Sequence, residues 1–254
     1  MNHDVVHAGA DGSAIDLVAL HGIQGTRASW QKALPLLADI HWVLPNLRGR
    51  AEAWRGTGVQ DYTLEKFAED ACAVIADHVH APRFVLAGWS MGTSVALASF
   101  DALRRTGRPL PSALILMSGS PVLKDVQWFG RGNGDDSDAA LLQEIATREQ
   151  RLGMREPADR NAVAWTWQAI RDTDQRALLT SIDVPVLIVH GSDDEDSPVE
   201  HAQLLADGLP DAQLMRIAGG RHAILTEQAD QVAAAIRTFL SHLSLATSTH
   251  RSTS

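Results

Sequence analysis

Apolar residues in this chain fall into short dense runs, separated by stretches in which they recur every three or four positions. Residues 15–20 (IDLVAL), 41–44, 84–87, 113–117, 184–189 and 213–217 have the length and aliphatic density of buried strands. Between them lie stretches of helical spacing: a pattern through Trp30, Leu34 and Leu37, then residues 63–79, 91–103 and 226–243. In the last of these, Val232, Ile236, Phe239, Leu240 and Leu243 share one helical face. Strands and helices alternating at this spacing predict an α/β protein with a mostly parallel central sheet flanked by helices.

The alternation breaks after Gly119. Residues 121–182 read as a helical insertion, with one helix over 139–152 and another opened by Pro157. The domain reading is therefore a core of residues 1–120 and 183–243, a helical cap of residues 121–182 and a loose polar tail of residues 244–254. The stretch 130–138 (GRGNGDDSD) lacks the spacing of a calcium loop and reads as a mobile surface connection.

Composition narrows the function classes. With 45% hydrophobic and 21% charged residues, and no uninterrupted apolar run near the ~18 residues that span a bilayer, a membrane-spanning or disordered chain is excluded. The formal charge of -9 repels phosphate backbones and anionic lipid surfaces, so neither nucleic acid nor membrane is an expected partner. Cys72 is the single cysteine, which leaves no disulfide and no thiolate metal framework. Residues 1–14 show no secretory pattern, and a cytoplasmic location is expected.

The chemistry concentrates at the ends of the predicted strands. Gly88-Trp89-Ser90-Met91-Gly92 follows one strand directly and opens a helix. A G-x-S-x-G turn in that context raises a serine on strained backbone, and its glycines let strand and helix pass closely. A serine hydroxyl attacks only when a base takes its proton. Of eleven histidines, His222 is best placed, in the loop between the last strand and the last helix. His201 reads as a helical residue and His242 as a solvated one; the His78-x-His80 pair has no third ligand nearby, so no metal is expected. An acid to orient the base comes from Gly191 to Pro198, where Asp193, Asp194, Glu195 and Asp196 all remain open on residue type alone. An oxyanion needs two backbone donors. Met91, after the serine, and Ile23, in the His21-Gly22-Ile23 turn after the first buried strand, are placed to supply them.

With these features the chain resembles the α/β-hydrolase superfamily, of the single-domain type with a helical cap inserted after the sixth strand. The resemblance spans roughly residues 15–243 and rests on His21-Gly22, the Ser90 turn, Gly191 with Asp194 three residues on, and His222 before the terminal helix. It implies Ser90 as nucleophile, Asp194 as orienting acid, His222 as base, Ile23 and Met91 as oxyanion donors, and no cofactor. The other acids of the loop are then expected to stay in water. Pro45-Asn46-Leu47-Arg48-Gly49-Arg50 is similar to the family's P-D-x-R-G-x-G-x-S loop, with Asn46 in place of the acid and Arg50-Ala51-Glu52 in place of its glycine-containing end. Thr93 and Arg221 also stand where relatives often carry glycine.

The expected substrate is a small acyl compound: a carboxylic ester, lactone or thioester. The same triad serves perhydrolysis, carbon–carbon bond hydrolysis and acyl transfer, and a ligand receptor on the same scaffold is the alternative from another class. Trp89, Trp128 and Trp165 are candidate pocket walls, among seven tryptophans in all. Arg221 and Arg50 are candidates for recognising a substrate carboxylate.

Overall fold

The computed structural model describes residues 3–126, 128–130, 138–154 and 156–251. Seven strands, β1 (Val5–Ala8), β2 (Ile15–Leu20), β3 (His41–Pro45), β4 (Arg83–Trp89), β5 (Ala113–Met117), β6 (Val186–Gly191) and β7 (Ala212–Ile217), form one sheet in the order β1-β3-β2-β4-β5-β6-β7. Every pairing is parallel except that of β1 with β3. β2, β5 and β6 are buried along their whole length, because helices cover both faces. That is why these strands read as continuous apolar runs instead of alternating ones.

The helices are α1 (Leu64–His78), α2 (Met91–Arg105), α3 (Asp138–Arg151), α4 (Arg160–Ile170), α5 (Arg176–Leu179), α6 (Glu200–Gly208), α7 (Ile224–Glu227) and α8 (Ala229–Arg251). α1 begins where Thr63 supplies an N-cap, its hydroxyl accepting from the Lys66 N–H. The apolar faces of α1, α2 and α6 share one core with the helices of the insertion, while Val232, Ile236, Phe239 and Leu240 of α8 close the other face of the sheet.

Five details differ from the sequence reading or extend it. β1 is an extra edge strand of four residues, half exposed; its hydrogen bonds to β3, not an apolar run, define it. The stretch around Trp30, Leu34 and Leu37 is two short 3-10 helices, Arg27–Trp30 and Leu34–Leu37, the second with Pro35 in its first turn. β6 starts at Val186, since Pro185 has no amide to donate. Counted along this chain, the insertion follows the fifth strand and not a sixth, because the single antiparallel strand β1 precedes β2. α8 continues to Arg251, past the last apolar position of its stripe at Leu243. The connection at 131–137 and residues 252–254 lie outside the described residues.

Candidate active site

Ser90 sits between β4 and α2 with φ 57° and ψ -122°, a left-handed strain that non-glycine residues rarely accept. Its amide donates to Met117 O at 2.8 Å, which ties the turn to β5. The flanking glycines are required by contact. A Cβ on Gly88 would lie 2.2 Å from Gly92 O, and one on Gly92 would lie 2.3 Å from Leu20 O. Thr93 is accommodated from the other side: its hydroxyl donates to Gly88 O at 3.2 Å, and it fills the space where a side chain at Gly119 would collide.

Two loops at the carboxyl ends of β6 and β7 bring the partners in. A Cβ on Gly191 would lie 2.2 Å from Gly220 O, so the loops pass with nothing between them. His222 Nε2 lies 2.9 Å from Ser90 Oγ, and its Nδ1 lies 3.0 and 2.9 Å from the two carboxylate oxygens of Asp194. All three residues are buried. An Nδ1–H donated to Asp194 leaves Nε2 free to accept the serine proton. Burial opposes the negative charge on Asp194, but the attraction and hydrogen bond of His222 and the N–H of Ser197 outweigh it and hold the carboxyl below its usual range. Trp89 anchors the base by donating from Nε1 to His222 O at 3.1 Å.

Sequence reading assigned no role to two further histidines here, although it noted the His21-Gly22 turn. His190, at the end of β6, donates to Ser197 O at 2.6 Å and stands 3.5 Å from Asp194. Burial keeps its pKa below the ordinary histidine value. His21 lies under the neighbouring turn, donating from Nδ1 to Gly22 O at 2.9 Å and accepting from the Leu47 N–H at 3.0 Å. Complete burial pushes its pKa down to about 3, so it is a neutral fastener. The turn it fastens packs directly on the serine, for a Cβ on Gly22 would lie 3.1 Å from that of Ser90. Ile23, in this turn, and Met91, the first residue of α2, are both buried. The signal for either histidine was a polar residue interrupting an apolar strand end, which spacing alone cannot separate from a loop start.

The recess over Ser90 has two sides. Gly22, Ile23, Gln24, Trp89 and His222 form the sheet side, and Arg148, Leu152 and Met154 form the helical side, leaving essentially no water-sized space between them. The helical side is fastened by charge. Arg148 places Nη1 2.5 Å from Gln24 Oε1 and Nη2 3.1 Å from Asp196 Oδ2, and Arg151 reaches the same carboxylate. Asp196 is therefore not a solvated loop acid as expected; only 2% of its surface is exposed. Asp193 and Glu195 are exposed.

The other expected binding residues are dispersed. Trp89 lines the recess. Trp128 instead packs on Trp167 and donates to Ser197 Oγ at 3.1 Å, while Trp165 packs at a tilt on Tyr62 with ring centroids 5.9 Å apart. Neither lines the recess; these large rings attach the insertion to the rest of the fold, Trp128 through Ser197 and Trp165 through Tyr62. Arg221 is exposed beside His222, next to Arg151 and Glu227. Arg50 is completely buried and hydrogen-bonded to protein oxygens, which removes it from direct contact with a substrate carboxylate. A larger groove of about 390 Å³ lies by Arg48, Trp54, Lys66 and Asp70, with no candidate nucleophile on its walls. No set of three metal-ligating side chains occurs among the described residues, and no described helix is long and apolar enough to cross a membrane.

The profile of the alpha/beta hydrolase family matches residues 17–235. The chain belongs to the alpha/beta hydrolase family. A putative non-heme chloroperoxidase of Synechocystis sp. is 27% identical, with 90% of this chain and 92% of the relative covered. A pimeloyl-[acyl-carrier protein] methyl ester esterase of Aromatoleum aromaticum is 28% identical over 82% of this chain and 91% of its own. Among solved structures, a putative aryl esterase from Burkholderia cenocepacia superposes with a TM-score of 0.77 at 24% identity, covering 94% of both chains. At that identity the superposition speaks for the fold alone.

Proposed function

We propose that this hydrolase cleaves a carboxylic ester, lactone or thioester with a compact acyl group through an acyl-enzyme on Ser90. The observation that carries the reading is the unbroken contact from Ser90 Oγ to His222 Nε2 and from His222 Nδ1 to Asp194, all of it buried. His222 takes the hydroxyl proton as Ser90 attacks the acyl carbon, and Asp194 stabilises the resulting imidazolium. The carbonyl oxygen becomes an alkoxide beside the Ile23 and Met91 amides. As the tetrahedral adduct collapses, His222 protonates the departing alcohol or thiol. Water, deprotonated by the same histidine, then releases the acid. The tight recess and Trp89 favour a small, partly apolar acyl group, and the esterase named among the relatives is consistent with the reaction class.

Labelling with a fluorophosphonate probe tests this. Ser90 should be the modified residue, and short-chain p-nitrophenyl esters should turn over. Ser90→Ala and His222→Ala should each lower kcat by on the order of a million, with little further loss in the double variant. A protein that binds such esters without turnover would instead be a ligand receptor. The chloroperoxidase relative supports one second reading, in which peroxide replaces water in deacylation. Formation of peracid from an ester and hydrogen peroxide decides between the two acceptors.

A further inference from the structure

Two arginines, two positions apart on the loop after β3, are both buried but differently partnered. Arg48 places Nε and Nη2 on the two carboxylate oxygens of Asp70, at 2.7 and 2.8 Å. Arg50 donates to uncharged oxygens: from Nη1 to Arg48 O at 2.7 Å and to Thr166 Oγ1 at 3.2 Å, and from Nη2 to Ile23 O at 2.5 Å. Its Nε has no partner among the described residues, and none of their ion pairs includes it. The ring of Phe67 lies 5.4 Å from the guanidinium, and Asp159 acts on it only at longer range. Burial lowers its pKa to about 10, so it remains a cation at neutral pH.

A fully buried cation without a counter-charge is costly to the resting protein. That cost is relieved when a negative charge arrives nearby, and the shortest contact of Arg50 shows where: the carbonyl of Ile23, whose own amide belongs to the turn packed on Ser90. The charge also reaches that turn at His21, whose protonation it opposes. We propose that Arg50 is a positioning residue of the oxyanion turn, clamping Ile23 and supplying a fixed positive charge that is balanced only while the acyl oxygen is an alkoxide. This rests on the hydrolase mechanism proposed above. When Ser90 Oγ bonds to the acyl carbon, the carbonyl π pair moves onto oxygen, between the Ile23 and Met91 amides. Arg50 touches neither substrate nor alkoxide and acts through the Ile23 peptide. In a dry site its field is weakly screened. Because the resting enzyme lacks the anion, the stabilisation falls on the transition state and not on the bound ester.

The test compares wild type, Arg50→Gln, Arg50→Lys and Ser90→Ala, with p-nitrophenyl acetate as substrate and phenylboronic acid as the probe, since its tetrahedral adduct on Ser90 is anionic. Removing an oxyanion donor costs about a hundredfold or more, and a charge one peptide further away should cost about thirtyfold. Arg50→Gln should therefore lower kcat about thirtyfold and weaken boronate binding by a similar factor, with KM changed less than about threefold. Arg50→Lys, which keeps the charge, should retain kcat to within about fivefold. Equal losses in the two variants, or a kcat loss in Arg50→Gln with unchanged boronate affinity, would show a packing role and overturn the proposal. Should Arg50→Gln fail to fold, Arg50→Lys decides: a loss beyond about thirtyfold overturns it. If wild type and Ser90→Ala are equally inactive, the ester-hydrolase reading fails and this proposal falls with it. If Ser90→Ala alone is inactive and Arg50→Gln is close to wild type, only the role of Arg50 is lost.

Discussion

The two sides of the recess over Ser90 meet at one short loop and are held by different forces. On the sheet side the geometry is set by backbone passing backbone, with Gly88 against Gly92, Gly92 against Leu20 and Gly191 against Gly220. On the helical side it is set by charge, with Arg148 and Arg151 of α3 converging on Asp196. Asp194 and Asp196, two residues apart and both buried, thus serve opposite walls: one holds His222, the other holds the insertion. A backbone contact of this kind tolerates almost no change in shape. A buried ion pair tolerates shape changes better, but it fails when one partner loses its charge.

Asp194→Asn should break the sheet side alone. Turnover falls on the order of a thousandfold or more, because His222 loses the acceptor that sets its tautomer. The Asn oxygen can still accept from the Ser197 N–H, so the midpoint of chemical denaturation should move little. Near-wild-type turnover would reassign the acid.

Asp196→Asn should break the helical side, destabilising by about 3 kcal/mol because it leaves Arg148 buried without a full counter-charge. Asp193→Asn, on the exposed neighbour, should stay within about 0.5 kcal/mol. Pairing Arg148→Met with Asp196→Leu replaces charge by packing and should recover most of the loss. If Asp196→Asn matches Asp193→Asn in urea denaturation, the ion pair does not fasten the insertion.

Acid provides a titration of the sheet side. His21 is held neutral in the fold down to about pH 3, while the unfolded chain takes up that proton below the ordinary value of 6.5. Its contribution is therefore complete above pH 6.5 and is lost as pH falls towards 3, amounting to roughly 2–4 kcal/mol across that window. His190 and His201, also lowered by burial, act in the same direction. Stability measured from pH 7 to 4 should fall less steeply in His21→Gln, and an unchanged slope would assign the acid sensitivity elsewhere.

The smallest effect is expected where the loop after β3 departs from the family pattern. Ala51 has φ 45°, a conformation that costs a residue with a Cβ about 1 kcal/mol. Ala51→Gly should stabilise by about 0.5 kcal/mol, after the greater flexibility of glycine in the unfolded chain is deducted. Destabilisation by this change would mean that the Ala51 methyl is packed.

How legible each part was follows from the range of the forces that set it. Amphipathic spacing is local, so α1, α2 and α8 were readable to within a few residues at their starts. The β4 strand followed by Gly88-Trp89-Ser90-Met91-Gly92 was readable because a sharp turn between packed elements restricts residue type at fixed offsets. β1 was not, because an edge strand of four residues is made by its neighbour. The short 3-10 helices around Trp30 and Leu37 were mistaken for one longer helix because both forms bury residues at similar spacing.

The amino-acid sequence by itself determined the alternation of strand and helix, the strained serine turn and the loop that carries His222, since each is written in local periodicity and in glycines at close offsets. The tertiary structure decided which carboxylate meets which cation. Four consecutive acids are equivalent to a reader of the chain, and only the packing of α3 over the loop separates Asp194, turned to His222, from Asp196, turned to Arg148. It likewise decided that Arg48 has a carboxylate partner and Arg50 has none among the described residues, because pairing a charge depends on elements distant in the chain. Spacing specifies the backbone path, whereas burial and charge pairing exist only once remote segments have met.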